Sequence, residues 1–270
     1  METLPLVIYT LMLELAVGTF VIMVLTDFKG EVGGSFLVTG GLTALGSALI
    51  ARWVQNSVSF KSGEALYPTD SNWADLQNTF LNITLVALVI YNIMIFIGTV
   101  PARRVVGSAA GIAAIATLLA FSLQYRGDFL GGWVAPFSLF AGALSLGAVM
   151  TGMLLGHWYL VSPTMAVAPL ARIDAVFFWS LVAQAVLVVV DIGPWVSSGA
   201  TELWSKFAIF FWMRVLVGIG LPLVLAAATW QTCKLKAHMS STGFLYVALA
   251  CVLAGEIISR VIMFSTTVPL

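Results

Sequence analysis

Long apolar stretches with very few charges run through almost the whole chain, and they constrain its fold more than any other feature. A helix that crosses a bilayer needs about 20 mostly apolar residues, and eight stretches of this sequence meet that requirement. They cover residues 5–26, 34–55, 77–98, 104–123, 133–160, 172–195, 205–231 and 243–265. The sequence therefore predicts an all-α integral membrane protein, a bundle of about eight transmembrane helices in a single domain over residues 1–270.

The shortage of charge excludes a soluble fold. Charged residues make up 9% of the chain, apolar residues 60%, and the mean hydropathy is +1.03. A soluble domain carries about a quarter of its residues as charges to keep its surface hydrated. The surface of this protein must instead face the lipid bilayer. The net charge of zero gives no indication of nucleic-acid binding.

The loop cations predict an orientation, because cytoplasmic loops of membrane proteins are enriched in Lys and Arg. The loops that follow the first, third, fifth and seventh stretches would hold Lys29, Arg103, Arg104, Arg172, Lys234 and Lys236. The opposite loops would hold Arg52, Lys61, Arg126 and Lys206, together with Glu64, Asp70, Asp75, Asp128 and Glu202. We therefore expect the first set of loops to be cytoplasmic and both termini to lie on the outer side.

The expected cytoplasmic loops are too short to form a soluble catalytic domain. The chain also lacks the HExxH and GxSxG patterns of hydrolytic enzymes. Any chemistry in which the protein takes part therefore belongs to a partner or happens within the bundle. We expect a non-catalytic subunit.

Two opposite charges lie four residues apart in the last apolar stretch, within LAGEIISRVIMF. Glu256 and Arg260 fall on one face of a helix, because residues four apart are neighbours there. A charge at the bilayer centre costs roughly 3 kcal/mol on insertion scales, so pairing reduces the cost of both. Two interpretations stay open. One is a structural ion pair. In the other the pair lines a polar cavity near the outer face, where Arg260 would hold a quinone carbonyl, a lipid phosphate or a partner's carboxylate.

Further polar side chains interrupt other stretches. Glu14 and Arg214 fall at similar depth, so they are candidates for an intramembrane ion pair, and Glu14 is also a candidate proton relay. Asp191, near the outer end of the sixth stretch, is interpreted as a cap, an interface residue or a partner in ion pairing.

His157 is a candidate hydrogen-bond donor to a quinone or a neighbouring helix. Because the other histidine, His238, falls in a polar loop, we expect no haem, and the residue spacing predicts no metal site.

The two ends of the chain resemble a known family. The run LPLVIYTLMLELAVGTF resembles the first helix of the membrane-anchor subunits of dimethyl-sulfoxide-reductase-type enzymes, and GEIISRVIMF is similar to the closing pattern of the same anchors. The broader relatives are the anchors of polysulfide-reductase-like, quinone-linked oxidoreductases. The residues that carry the resemblance are Pro5, Leu6, Thr10, Gly18, Phe20, Gly255, Glu256, Arg260 and Phe264.

The resemblance implies a division of labour in a bacterial inner membrane. The anchor would span the membrane several times, bind a quinone or quinol non-covalently, and exchange electrons with a docked iron–sulfur subunit. A separate catalytic subunit, a molybdopterin enzyme in that family, would act on the substrate. Glu256 and Arg260 would form the quinone site, Glu14 would relay protons and His157 would be a weaker candidate. The histidine that the family carries between its second and third helices has no counterpart in residues 56–77.

Two other functions stay open. The chain is also compatible with a structural, non-redox subunit of a respiratory or photosynthetic supercomplex, in which the buried charges only lock helices together. The third possibility is a small-solute or ion transporter. Transporters often show internal repeats and broken helices, whereas this sequence shows no clear repeat and a single mid-helix proline, Pro222, which predicts a kink in the seventh stretch.

Overall fold

The protein is described by a computed structural model that covers residues 3–57, 70–124, 133–161, 166–197, 206–266 and 268. Within these residues all regular secondary structure is helical. The helices are α1 (Leu4–Lys29), α2 (Gly34–Ser57), α3 (Ser71–Ile97), α4 (Val100–Gln124), α5 (Val134–Val161), α6 (Ala168–Ser197), α7 (Ala208–Lys234) and α8 (His238–Thr266).

All eight helices are long and apolar enough to cross a membrane, which confirms the predicted multi-pass helical bundle. Because each helix crosses the membrane, successive helices run in opposite directions. We call the membrane face at which α1 begins the first face, and the face at which α1 ends the second face. Helices α1, α3, α5 and α7 end at the second face, and α2, α4, α6 and α8 begin there.

Helix α1 occupies the centre of the bundle. In the most apolar 18-residue segment of α1, 83% of the residues are buried, whereas 28% are buried in the corresponding segment of α7. It packs against α2, α4, α5 and α8. The outer helices instead present large apolar side chains to the surroundings, as expected for a lipid-facing surface.

Helix α3 begins at Ser71, six residues before the predicted start of the third stretch. The cause is a cap, since the carboxylate of Asp70 accepts a hydrogen bond of 2.9 Å from the backbone N–H of Asn72. The helix ends at Gly98, which adopts a left-handed conformation with φ of 81°. Capping by polar residues thus extends α3 beyond its apolar stretch.

Helix α7 contains a π-helical segment, Arg214–Gly220, immediately before Pro222. Proline has no backbone N–H and its ring clashes with a carbonyl one turn earlier. The wider turn relieves this conflict, since the N–H of Leu221 bonds to the carbonyl of Leu216, five residues back. The predicted irregularity at Pro222 is therefore a π-helical segment, and Arg214 is its first residue.

Glycines bring two pairs of helices into backbone contact. A Cβ added to Gly18 of α1 would lie 1.8 Å from the carbonyl oxygen of Ala143 in α5, and one added to Gly147 would lie 2.0 Å from the carbonyl carbon of Gly18. In the same way, a Cβ on Gly255 of α8 would lie 2.3 Å from the Cα of Gly218 in α7. No side chain fits at these crossings, so α1 approaches α5 and α8 approaches α7 as closely as backbones allow.

Candidate functional site

Five polar side chains from four helices meet in the interior of the bundle, and we call them the central charge cluster. They are Glu14 of α1, Gln184 of α6, Arg214 of α7, and Glu256 and Arg260 of α8. Each is at most 2% exposed. The cluster holds two carboxylates and two guanidinium groups, so its formal charge is zero.

Arg260 joins both carboxylates. Its Nη2 lies 2.8 Å from Oε1 of Glu14 and 3.2 Å from Oε2 of Glu256, and its Nε donates to Oε2 of Glu14 at 3.4 Å. Its Nη1 and Nη2 also donate to the hydroxyl and the backbone carbonyl of Ser138 in α5, both at 3.2 Å. The planar guanidinium thus links α1, α5 and its own helix, a geometry that a lysine ammonium cannot reproduce.

Glu256 is shared between the two arginines. Its Oε1 accepts hydrogen bonds from Nη1 of Arg214 at 3.1 Å and from Nε2 of Gln184 at 2.8 Å. The amide oxygen of Gln184 in turn accepts from Nη2 of Arg214 at 3.0 Å. Gln184 Nε2 also donates to the hydroxyl of Ser145 in α5, at 2.8 Å. These bonds tie α6 and α7 to α8 and bring α5 into contact with the network.

The cluster is tightly enclosed by α5. A Cβ added to Gly142 would lie 2.8 Å from Nη2 of Arg260, and 2.9 Å from both Oε1 of Glu14 and Oε2 of Glu256. Even one methyl group would collide with the charged atoms. Isolated charges at this burial would be very unfavourable, so the short distances between opposite charges are a condition for folding.

The cluster lies in the half of the bundle nearer to the first face. Arg260 precedes the last residue of α8 by six positions, which is about 9 Å along the helix. Arg214 follows the first residue of α7 by six positions, again about 9 Å. Ser138 follows the first residue of α5 by four, about 6 Å. Among these three residues, Ser138 therefore lies closest, along its own helix, to a helix end at the first face.

The structure brings together four of the six residues that sequence analysis selected. Glu14, Arg214, Glu256 and Arg260 meet in the cluster, although Arg214 pairs with Glu256 and not with Glu14. For Asp191, one of the three interpretations was an intramembrane ion pair, and among the described residues it makes none. Its side chain is buried in α6, and its Oδ2 has no hydrogen-bond partner there.

The two histidines lie apart from the cluster. His157 is exposed near the second-face end of α5, so it shares no site with Arg260. His238 begins α8, and its ring stacks on that of Tyr159, with centroids 4.9 Å apart and planes at 11°. Among the described residues, no group of three or more His, Cys, Asp and Glu is arranged to hold a metal ion.

Sequence analysis missed Gln184 and a second buried ion pair. Gln184 is uncharged, and only its place inside an apolar stretch could have drawn attention to it. The second pair joins Asp27 of α1 to Arg103 of α4, with Oδ1 and Nη2 2.5 Å apart, near the second face. The hydroxyl of Tyr91 also donates to Asp27, at 3.4 Å. Arg103 was read only as a loop cation, whereas α4 begins earlier and buries it.

The described geometry fits a rigid junction better than a direct quinone contact. Glu256 and Arg260 are fully buried and bonded to each other and to their neighbours, so a quinone ring does not fit between them. Two atoms of the cluster, Oε1 of Glu14 and Nε of Arg214, form no hydrogen bond within the described part of the chain. At Oε1 of Glu14 the cluster can take up a proton or accept a hydrogen bond from a water, whereas the Nε–H of Arg214 can only donate to a water.

Comparison with models of known protein families finds no match for this chain, and comparison with curated proteins finds none either.

Proposed function

We propose that this chain is the membrane-anchor subunit of a multi-subunit, quinone-linked oxidoreductase in a bacterial inner membrane. The observation that carries the proposal is the central charge cluster, which joins α1, α6, α7 and α8 directly and α5 through Ser138 and Ser145. Such a junction favours a fixed scaffold on which redox subunits dock. It argues against a transporter, whose helices must move past one another to alternate access.

The charges at the second face support an orientation. Lys29, Arg172, Lys234 and Lys236 are exposed at that face. Because cytoplasmic loops are enriched in Lys and Arg, we infer that the second face is cytoplasmic and that the first face, with both termini, is outward. The iron–sulfur subunit would dock at the first face, nearer to the cluster.

The role we assign to the cluster is positional, and the quinone would lie closer to the first face than Glu256 and Arg260 do. Ser138 is the group best placed to connect the two, since its hydroxyl contacts Arg260 and it lies only four residues from the first-face end of α5. Glu14 is better placed than Glu256 to accept a proton, since it has one arginine partner and Glu256 has two. Residues 58–69, 125–132 and 198–205 fall outside the described residues.

One further candidate is supported by a specific observation. The four charges of the cluster are paired with one another, so the ion pairs alone account for their burial without a bound substrate. A structural, non-redox subunit of a larger membrane complex would use the same junction. The two candidates differ in the partners that they require.

Purification from the native membrane in mild detergent, followed by mass spectrometry of co-eluting chains, separates the candidates. An iron–sulfur subunit with a catalytic redox subunit supports the anchor, whereas membrane partners without redox centres support the structural subunit. In the first case quinol oxidation is then compared in Arg260→Lys and the matched Arg103→Lys, which changes a buried arginine near the other face. We expect turnover to fall strongly in Arg260→Lys only; equal losses in both variants would contradict a link between the cluster and the quinone.

A further inference from the structure

A pocket of about 350 Å³ opens between α6 and α7, away from the central charge cluster. Its walls are formed by Asp174, Phe178 and Trp179 of α6 and by Trp230 and Gln231 of α7, with alanines between them. Pockets of this size accommodate small ligands or headgroups. The lining combines large aromatic surfaces with one carboxylate, which is the combination that recognises a cation.

Asp174 is the residue that makes this pocket unusual. The residue is 2% exposed, its Oδ1 has no hydrogen-bond partner within the described part of the chain, and no ion pair there involves its carboxylate. The buried carboxylates Glu14, Asp27 and Glu256 all have an arginine partner. A buried carboxylate without such a partner is unfavourable, and a cation bound in the pocket would offset that cost.

The depth of the pocket matches the boundary between headgroups and hydrocarbon. Asp174 follows the first residue of α6 by six positions, about 9 Å, and Gln231 precedes the last residue of α7 by three, about 4.5 Å. Both helix ends lie at the second face. Tryptophan side chains concentrate at this level of a bilayer, and Trp179 and Trp230 are 66% and 40% exposed. A ligand can therefore enter from the lipid.

We propose that this pocket binds the headgroup of a phospholipid with a primary ammonium, as in phosphatidylethanolamine. The N–H groups of the ammonium donate to Asp174, and the indole rings of Trp179 and Trp230 contribute cation–π attraction. The ring of Trp230 already attracts one cation of this chain, since the Nζ of Lys234 lies 5.1 Å from its centroid. Lys234, at the exposed end of α7, is the partner for the lipid phosphate.

The same chemistry discriminates against other lipids. A choline headgroup is a cation without N–H donors, so it satisfies the aromatic rings but not the carboxylate of Asp174. A glycerol headgroup brings no cation, and its phosphate would add a negative charge close to Asp174. A quinol offers hydroxyl donors but no positive charge. The proposed preference is therefore for ethanolamine over choline, and for both over glycerol.

The proposal can be tested by native mass spectrometry on the full-length chain, with whatever subunits co-purify. The delipidated protein is titrated with phosphatidylethanolamine, phosphatidylcholine and phosphatidylglycerol that carry the same acyl chains. We expect one tight phosphatidylethanolamine per chain, bound about tenfold more strongly than phosphatidylcholine, as a charge-assisted hydrogen bond provides. Asp174→Asn should remove this preference. The matched control is Asp191→Asn, which changes the other buried α6 carboxylate without an ion-pair partner among the described residues and should keep the preference.

Thermal unfolding without added lipid shows whether each variant folds. If Asp174→Asn does not fold, Trp179→Leu is used in its place. The side chain of Trp179 faces the lipid, so removing the indole should reduce ethanolamine binding without unfolding the bundle. Equal binding of the three lipids would overturn the proposal. So would an equal loss of preference in Asp174→Asn and Asp191→Asn, or displacement of phosphatidylethanolamine by an equimolar quinol analogue.

Discussion

Two sets of buried opposite charges connect the helices of this bundle, and they differ in their distance from water. The central charge cluster contains four charged groups, all at most 1% exposed. The Asp27–Arg103 pair contains two, and the side chain of Arg103 is 11% exposed at the second face. The charges of the central charge cluster must therefore be neutralised by one another, whereas Arg103 of the second set can also be hydrated by water.

This difference determines what each set can tolerate. If one member of the central charge cluster is lost, the remaining charges have no route to solvent, since α5 closes over them at Gly142. If Asp27 is lost, the long side chain of Arg103 can extend toward the second face and hydrate its guanidinium. We therefore expect equivalent changes to have much larger effects in the cluster than at the pair.

The largest effect is expected for Arg260→Met. The substitution leaves Glu14 without an arginine partner and Glu256 with Arg214 alone. Breaking a buried ion pair in this way costs about 3–5 kcal/mol. Thermal unfolding in detergent measures the loss of stability. Arg103→Met, the control at the less buried pair, should lose clearly less. A loss in Arg103→Met as large as that in Arg260→Met would contradict the comparison.

A double variant sharpens the same prediction. Glu14→Gln combined with Arg260→Met removes one charge of each sign and leaves the Arg214–Glu256 pair in place. Because the unpaired carboxylate is then absent, part of the stability lost in Arg260→Met should return. If the double variant is less stable than Arg260→Met alone, the damage comes from lost packing and not from unpaired charge.

The next largest effect concerns the backbone contact that holds the cluster closed. Gly18→Ala places a Cβ against the carbonyl oxygen of Ala143, and such overpacking costs about 1–3 kcal/mol. Gly18 is four residues from Glu14, so separation of α1 from α5 also loosens the cluster. Gly111→Ala in α4 is the matched control, because nothing lies within 4 Å of its added Cβ. It should leave the unfolding temperature unchanged or raise it, and equal losses in both variants would exclude a special role for the α1–α5 crossing.

A smaller effect is expected for Asp27→Asn at the second face. The variant removes the ion pair with Arg103 but keeps a side chain that can accept a hydrogen bond. The loss should be about 1–2 kcal/mol, the range for a hydrogen bond between charged groups. The midpoint of unfolding by a denaturing detergent measures it. A loss as large as that of Arg260→Met would show that Arg103 cannot reach water.

The fold could be predicted from the sequence because long apolar stretches have few alternatives in a membrane. The stretches predicted all eight helices, and the main differences are at the ends, where local polar chemistry decides. The Asp70 cap extends α3 beyond its apolar stretch. The π-helical segment before Pro222 required backbone geometry that hydropathy does not contain.

The site was only partly predictable. The charges inside apolar stretches pointed to Glu14, Arg214, Glu256 and Arg260, but their pairing depends on which helices are neighbours. Gln184 was missed because it carries no charge. The roles of Gly18 and Gly255 at the two backbone crossings also depend on which helices are neighbours, so the sequence did not predict them.

The smallest effect is expected at an exposed pair that resembles Asp27–Arg103 in chemistry but not in burial. Arg172 contacts Glu31 near the second face, and their side chains are 44% and 35% exposed. Because water and salt screen such pairs, Glu31→Gln should change stability by no more than about 0.5 kcal/mol. A high salt concentration should abolish that small difference while the effect of Asp27→Asn persists. If Glu31→Gln destabilises the protein as much as Asp27→Asn, burial does not determine how much these ion pairs stabilise the fold. The larger effect expected for the central charge cluster would then also lose its physical basis.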